Sequence, residues 1–167
     1  MFGMEDFIKF LQGFFIVFPI VTFVHLMGHT FFVFLFGGKG IRIFIGCGDK
    51  LWGTRGLELR KFYFWYGGCE FKSLRVNHRI SHSLIFIGGS LFNLISIFVV
   101  NKLVEVQVLE DSMLWYQFIY FSFYFIFFAL FPMDLPDGYP SDGKAIYSIW
   151  SSKVKEVSSE DCHWRIE

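Results

Sequence analysis

The chain has 167 residues, of which 54% are hydrophobic, 22% aromatic and only 18% charged, a composition outside the range of soluble domains. Its formal net charge is zero, so it offers no cationic domain to a phosphate backbone, and nucleic-acid binding is excluded. No second region has the polar composition of a soluble core, and a single membrane domain is expected.

Residues 1–9 are short and slightly acidic and are expected at an interface. Residues 10–36 form an uncharged apolar run long enough to cross the hydrocarbon core of a bilayer. The run is too long for a cleavable signal peptide and lacks its basic leader. Pro19 lies inside it, which membrane helices tolerate when neighbours satisfy the freed carbonyl. Near its end stands His25-Leu26-Met27-Gly28-His29. Two imidazoles four positions apart share one helix face, the geometry in which both can hold one metal ion. Such side chains are costly inside a span unless they are satisfied, either by a metal or by structural hydrogen bonds to neighbouring helices.

Residues 40–74 change character, with charges every few positions. Ile41–Ile45 begins with the period of a strand that Gly46 and Gly48 are expected to break. Leu57–Phe64 supplies a second β-like run that Gly67-Gly68 is expected to end. Two or three membrane-associated strands follow from this pattern, with their edges covered or in the headgroup zone. Residues 80–100 form a second span containing His82, Gly88-Gly89-Ser90 and Asn93. A short acidic link leads to a third span over 113–131. Pro132, Pro136 and Pro140 then force a non-helical passage before a short amphipathic helix that Ser141 or Asp142 can cap. Domain boundaries are placed at 1–150 for the membrane domain and 151–167 for a polar tail. Cys47, Cys69 and Cys162 have no metal or disulfide spacing and are read as reduced thiols.

Between residues 37 and 79 there are nine Lys/Arg against three Asp/Glu, whereas 101–112 holds one against three. The positive-inside rule therefore puts the basic segment and the tail in the cytoplasm, and the N-terminus outside, in the cytoplasmic membrane if the cell is bacterial. That topology brings the histidine pair and the acidic residues after the third span to one side. His25, His29 and an aspartate would form a set of two nitrogens and one oxygen with a fourth position open, which suits Zn2+ better than magnesium or calcium.

Together these residues resemble the site-2 protease family of intramembrane zinc metalloproteases, peptidase family M50. His25-Leu26-Met27-Gly28-His29 is similar to the family's H-E-x-G-H, with Leu26 where the glutamate general base is usual. Tyr66-Gly67-Gly68 resembles the close of the family's β-hairpins. Gly89-Ser90-Leu91-Phe92-Asn93 resembles G-P-x-x-N, and Pro132 followed by Asp137-Gly138 and Asp142-Gly143 resembles N-x-x-P then D-G, with Ala129 in place of the asparagine. The resemblance implies an α-helical polytopic membrane protein: a three-span core with a short membrane-associated β-hairpin segment. It implies metal ligands His25, His29 and Asp142, with Asp137 as alternate and Asp134 a more distant one. It further implies contacts to a membrane peptide or protein through Asn93, Gly67 and Gly68.

Leucine has no basic atom, so the general-base role is empty, a deficit of roughly 10²–10⁴-fold in rate. The expected function is a zinc-binding, catalytically impaired homologue, a pseudoenzyme that binds transmembrane or membrane-associated clients. The alternatives are an active hydrolase with a non-standard base, for which Glu70, Asp134 and Asp137 are candidates, and a structural membrane protein without metal. The sequence names neither a client nor an oligomeric state.

Overall fold

Apolar length decides the architecture. The computed structural model describes residues 3–54, 56–135 and 140–151, the side chains of Trp65 and Tyr66 excepted. Within them, three helices are long and apolar enough to cross a membrane: Met4–Leu35, Arg79–Glu105 and Met113–Leu130. The chain is thus a polytopic helical membrane protein with a small accessory sheet.

The first span is built from α1 (Met4–Gln12), a π turn (Gly13–Val17) and α2 (Phe18–Leu35). It begins at Met4, ahead of the apolar run, because residues 4–12 are amphipathic. Glu5 and Asp6 lie in the first turn and Lys9 in the last, each favourable to the helix dipole. The π turn shifts the hydrogen-bond pattern just before Pro19, the residue without an N–H to give. At the other end Gly37, with φ +71°, allows the Gly38 N–H to reach back to the Val33 carbonyl and stop the helix.

Strands β1 (Arg42–Gly53) and β2 (Leu57–Glu70) form an antiparallel ribbon running from Arg42 opposite Glu70 to Gly53 opposite Glu58. The ribbon curls so that Leu57–Leu59 also lies along Ile43–Ile45, making it locally three strands wide. Two expectations need correction here. Gly46 and Gly48 do not end β1 but sit inside it at φ +86° and +84°, where the register shifts. Gly67 and Gly68 do not end β2 but pair with Ile45 and Phe44. Their lack of a side chain serves packing: a Cβ on Gly67 would stand 2.7 Å from Leu26 Cδ1. The ribbon therefore lies directly on the first span.

Helix α3 (Arg79–Glu105) is the central element. Half of its apolar window is buried, against 11% for α4 (Met113–Leu130). It outlasts the expected 80–100 by a charged turn in which Lys102 and Glu105 pair. Its crossing with α2 brings backbone onto backbone, since a Cβ on Gly28 would lie 2.2 Å from the Gly88 carbonyl oxygen. Helix α4 turns Tyr120, Phe123 and Phe127 outward, each more than half exposed. That is a liability in water and the ordinary condition of a helix facing lipid.

Helix α5 (Asp142–Ser151) packs on α3, where the Trp150 indole N–H donates to Ser83. Two apolar clusters flank a polar layer. Val17, Val21, Val100 and Phe118 lie at one end, and Leu26, Val33, Cys69, Ile85, Phe86 and Ala145 at the other. Asp137, Cys162 and the tail after Ser151 lie outside the described residues.

Candidate metal centre

Helical spacing puts His25 and His29 on the face of α2 that meets α3, and both are almost wholly buried. Asp142 reaches them from the first turn of α5, also buried. Its Oδ2 lies 3.3 Å from His25 Nε2 and 3.5 Å from His29 Nε2. A tetrahedral zinc site with arms of roughly 2.0–2.1 Å has edges of about 3.3–3.4 Å. All three ligand-type atoms fall within 4.8 Å of one another.

Local structure explains why Asp142 arrives there. Ser141 caps α5: its Oγ accepts the Lys144 N–H and the Met133 N–H, both at 3.2 Å, and donates to the Phe131 carbonyl at 2.6 Å. Gly143 follows because only a hydrogen fits, a Cβ being 1.9 Å from the Leu130 carbonyl oxygen. The end of the third span and the start of α5 are thereby pressed together with Asp142 between them. Asp134, the more distant candidate, is exposed and pairs with Lys144.

The three residues fit a divalent cation on two observations. His25 Nε2, His29 Nε2 and Asp142 Oδ2 are buried without a hydrogen-bond partner, an arrangement costly in a membrane protein's interior unless something pairs with all three. The space is also kept by Gly89, whose added Cβ would stand 2.5 Å from both Nε2 atoms. Burial pushes the Asp142 carboxyl up to about 7, with His29 pulling the other way.

The surroundings orient these atoms. His29 Nδ1 contacts the Ile85 carbonyl at 2.7 Å. Asn93, fully buried, lies 3.4 Å from His25 Nδ1. Gly67 and Gly68 are buried in β2, Gly67 against Leu26 and Thr22. Leu26 itself is 1% exposed and belongs to the apolar cluster with Cys69 and Ile85. His82 is no part of the centre and instead bonds Asn77 at 2.7 Å. Of the two capping candidates read from the sequence, Ser141 is the one that caps α5, whereas Gly89 was missed as a site-forming residue: the Gly88-Gly89 pair carried a signal for close helix approach but none for the space beside the imidazoles.

The uncharacterized membrane protein YwmF of Bacillus subtilis (strain 168) is 44% identical to this chain over 149 residues, which cover 89% of this chain and 93% of that protein. No protein-family model matches the chain. No solved structure matches it.

Proposed function

The chain belongs to the family of the Bacillus subtilis membrane protein YwmF, and we propose that it is a zinc-binding membrane protein with a site-2-protease-like core that binds membrane peptide or protein clients without cleaving them. His25, His29 and Asp142 would hold the ion. When bound, zinc supplies Lewis acidity toward a carbonyl oxygen and acidifies water. Hydrolysis also needs a group that takes a proton within about 2.6–3.2 Å of the reacting atoms.

The observation that carries the reading is Leu26. It stands between the histidines in sequence, where the resemblance expects a glutamate, and its side chain is sealed in the apolar cluster under Gly67. Among the other candidate bases, Asp134 is engaged by Lys144 at the surface and Glu70 also has a partner. Asn93 stands beside His25, and in this reading Asn93, together with Gly67 and Gly68 on the ribbon that covers Leu26, would supply the client contacts. The charge distribution supports a cytoplasmic basic segment and tail and an outside N-terminus.

Metal analysis of the full chain purified in detergent without chelators tests the site. Near-stoichiometric zinc is expected, with loss in His25→Ala and Asp142→Ala; absence of metal from the unchanged protein would leave the histidines structural. Transmembrane peptides offered to the unchanged protein and to Leu26→Glu test the chemistry. Metal-dependent cleavage by the unchanged protein would overturn the pseudoenzyme reading, and cleavage only after Leu26→Glu supports it.

A further inference from the structure

A second site lies where the first span ends. A recess of about 450 Å³ is lined by Gly37, Lys39, Ser73, Leu74 and Arg75, within the roughly 300–1,000 Å³ typical of small-ligand sites. Its walls are fixed by backbone. The Lys39 N–H donates to the Ser73 carbonyl and the Lys72 N–H to the Lys39 carbonyl, both at 2.9 Å, and the Arg75 N–H donates to the Phe36 carbonyl at 3.1 Å. Gly37 and Gly40, at φ +71° and +68°, turn the chain on either side of Lys39. A Cβ at these glycines would strike Arg75 Cβ at 2.8 Å and Lys72 Cγ at 2.7 Å. The stems of two basic side chains therefore rest against the turns that carry the third.

Lys39, Lys72 and Arg75 are all exposed. Among the described residues none of the three has an acidic partner. Apolar surface flanks them on both sides: Phe34 and Leu35, 76% and 60% exposed, precede the recess, and Ile80, 63% exposed, opens α3. The backbone that carries these basic side chains is thus fixed at the level where lipid-facing surface gives way to water.

We infer that this recess binds the phosphate of an anionic phospholipid headgroup, with the acyl chains along the exposed ends of α2 and α3. Lysine contributes point charges and arginine a planar fork suited to phosphate oxygens. Lys39 and Arg75, the two cations that line the recess, against one phosphodiester leave positive charge over, which favours a lipid of net negative charge and repels the ammonium of a zwitterionic one. Basic recesses beside spans on the cytoplasmic side have this chemistry. The inference does not depend on the metal reading, and zinc content serves as an independent control on folding.

The full chain in neutral detergent is titrated with phosphatidylglycerol or phosphatidylcholine, with binding read by native mass spectrometry. Phosphatidylglycerol is expected to bind preferentially and to bind Lys39→Gln/Arg75→Gln about 30-fold more weakly, the loss expected for two basic groups at a membrane surface. Lys50→Gln/Lys61→Gln, which removes the same charge from the ribbon and away from the recess, is expected to bind as the unchanged protein does. Equal binding of the two lipids, an unaffected first variant, or equal loss in the second would overturn the inference. Displacement of the lipid by roughly millimolar inorganic phosphate would also overturn it, because the ligand would then be free phosphate.

Discussion

His29 donates its Nδ1 proton to the Ile85 carbonyl at 2.7 Å, an acceptor that leaves only one role for that nitrogen. Its Nε2 lone pair is thereby turned toward His25 and Asp142. Outer contacts of this kind fix the tautomer of a ligand imidazole. Asn93 stands in the corresponding place beside His25, and its Oδ1 is otherwise unpartnered. The two ends of an amide are interchangeable in such assignments, and Oδ1 facing His25 Nδ1 would accept its proton. Asn93→Ala is expected to weaken zinc binding about 10–100-fold while the protein remains folded, as measured by competition with a chromophoric chelator. Unchanged affinity would assign Asn93 no part in orienting His25.

Gly89 provides a sharper test, because it touches the space rather than the ligands. An added methyl would stand 2.5 Å from both Nε2 atoms, where no non-bonded carbon fits. Gly89→Ala is expected to lower zinc affinity by about 100-fold or more, since the coordination geometry tolerates only a few tenths of an ångström. Circular dichroism and detergent gel filtration check that the helices survive. Retained zinc in a folded variant would place the ion elsewhere.

The pH dependence of metal binding follows from Asp142. With its carboxyl raised from 3.8 to about 7 by burial, an incoming cation must displace a proton whenever the pH lies below about 7. Affinity is therefore expected to fall as pH falls through that value, approaching tenfold per unit from this group alone, and to level off above it. Both imidazoles must be unprotonated to bind, which acts in the same direction. Chelator competition between roughly pH 5.5 and 8.5 measures the slope, and a flat profile would remove Asp142 from the ligand set.

Thiol labelling separates two cysteines. Cys69 is fully buried, and its thiol is pushed up from 9.0 to about 11 by burial. At neutral pH its thiolate fraction is thus about 100-fold below that of an ordinary thiol. Cys47 is only half-buried. Maleimide is expected to label Cys47 promptly in folded protein and Cys69 only after denaturation, as read by mass mapping.

Ser141→Ala removes the cap of α5 and the contacts to Phe131 and Met133 together. A loss of about 1–2 kcal/mol is expected, seen as a lower unfolding temperature with weaker zinc binding. Destabilisation with unaltered zinc affinity would show that α5 holds its place without the cap.

The three spans were legible because apolar length is a property of the sequence itself, and the histidine pair because four positions make one helical turn. The partnership with Asp142 needed more, namely a charge asymmetry that sorts the loops to two sides and a motif resemblance that favours one aspartate over another. What stayed hidden were relationships between elements. The ribbon passes through Gly46, Gly48, Gly67 and Gly68, residues that read as strand breakers in isolation. Their reason lies in register shifts and in the nearness of Leu26. Gly89 likewise advertises a helix contact in the sequence, whereas its position over two imidazoles exists only once α2 and α3 have crossed.

Because the histidines come from the first span and Asp142 from the helix that follows the last, the cluster is closed by residues more than a hundred positions apart. A chain still emerging into the bilayer presents two imidazoles and no carboxylate. The trio is assembled only when every span has been inserted with the correct polarity, so metal retention would report completed insertion, a form of quality control that requires no bond to be cut.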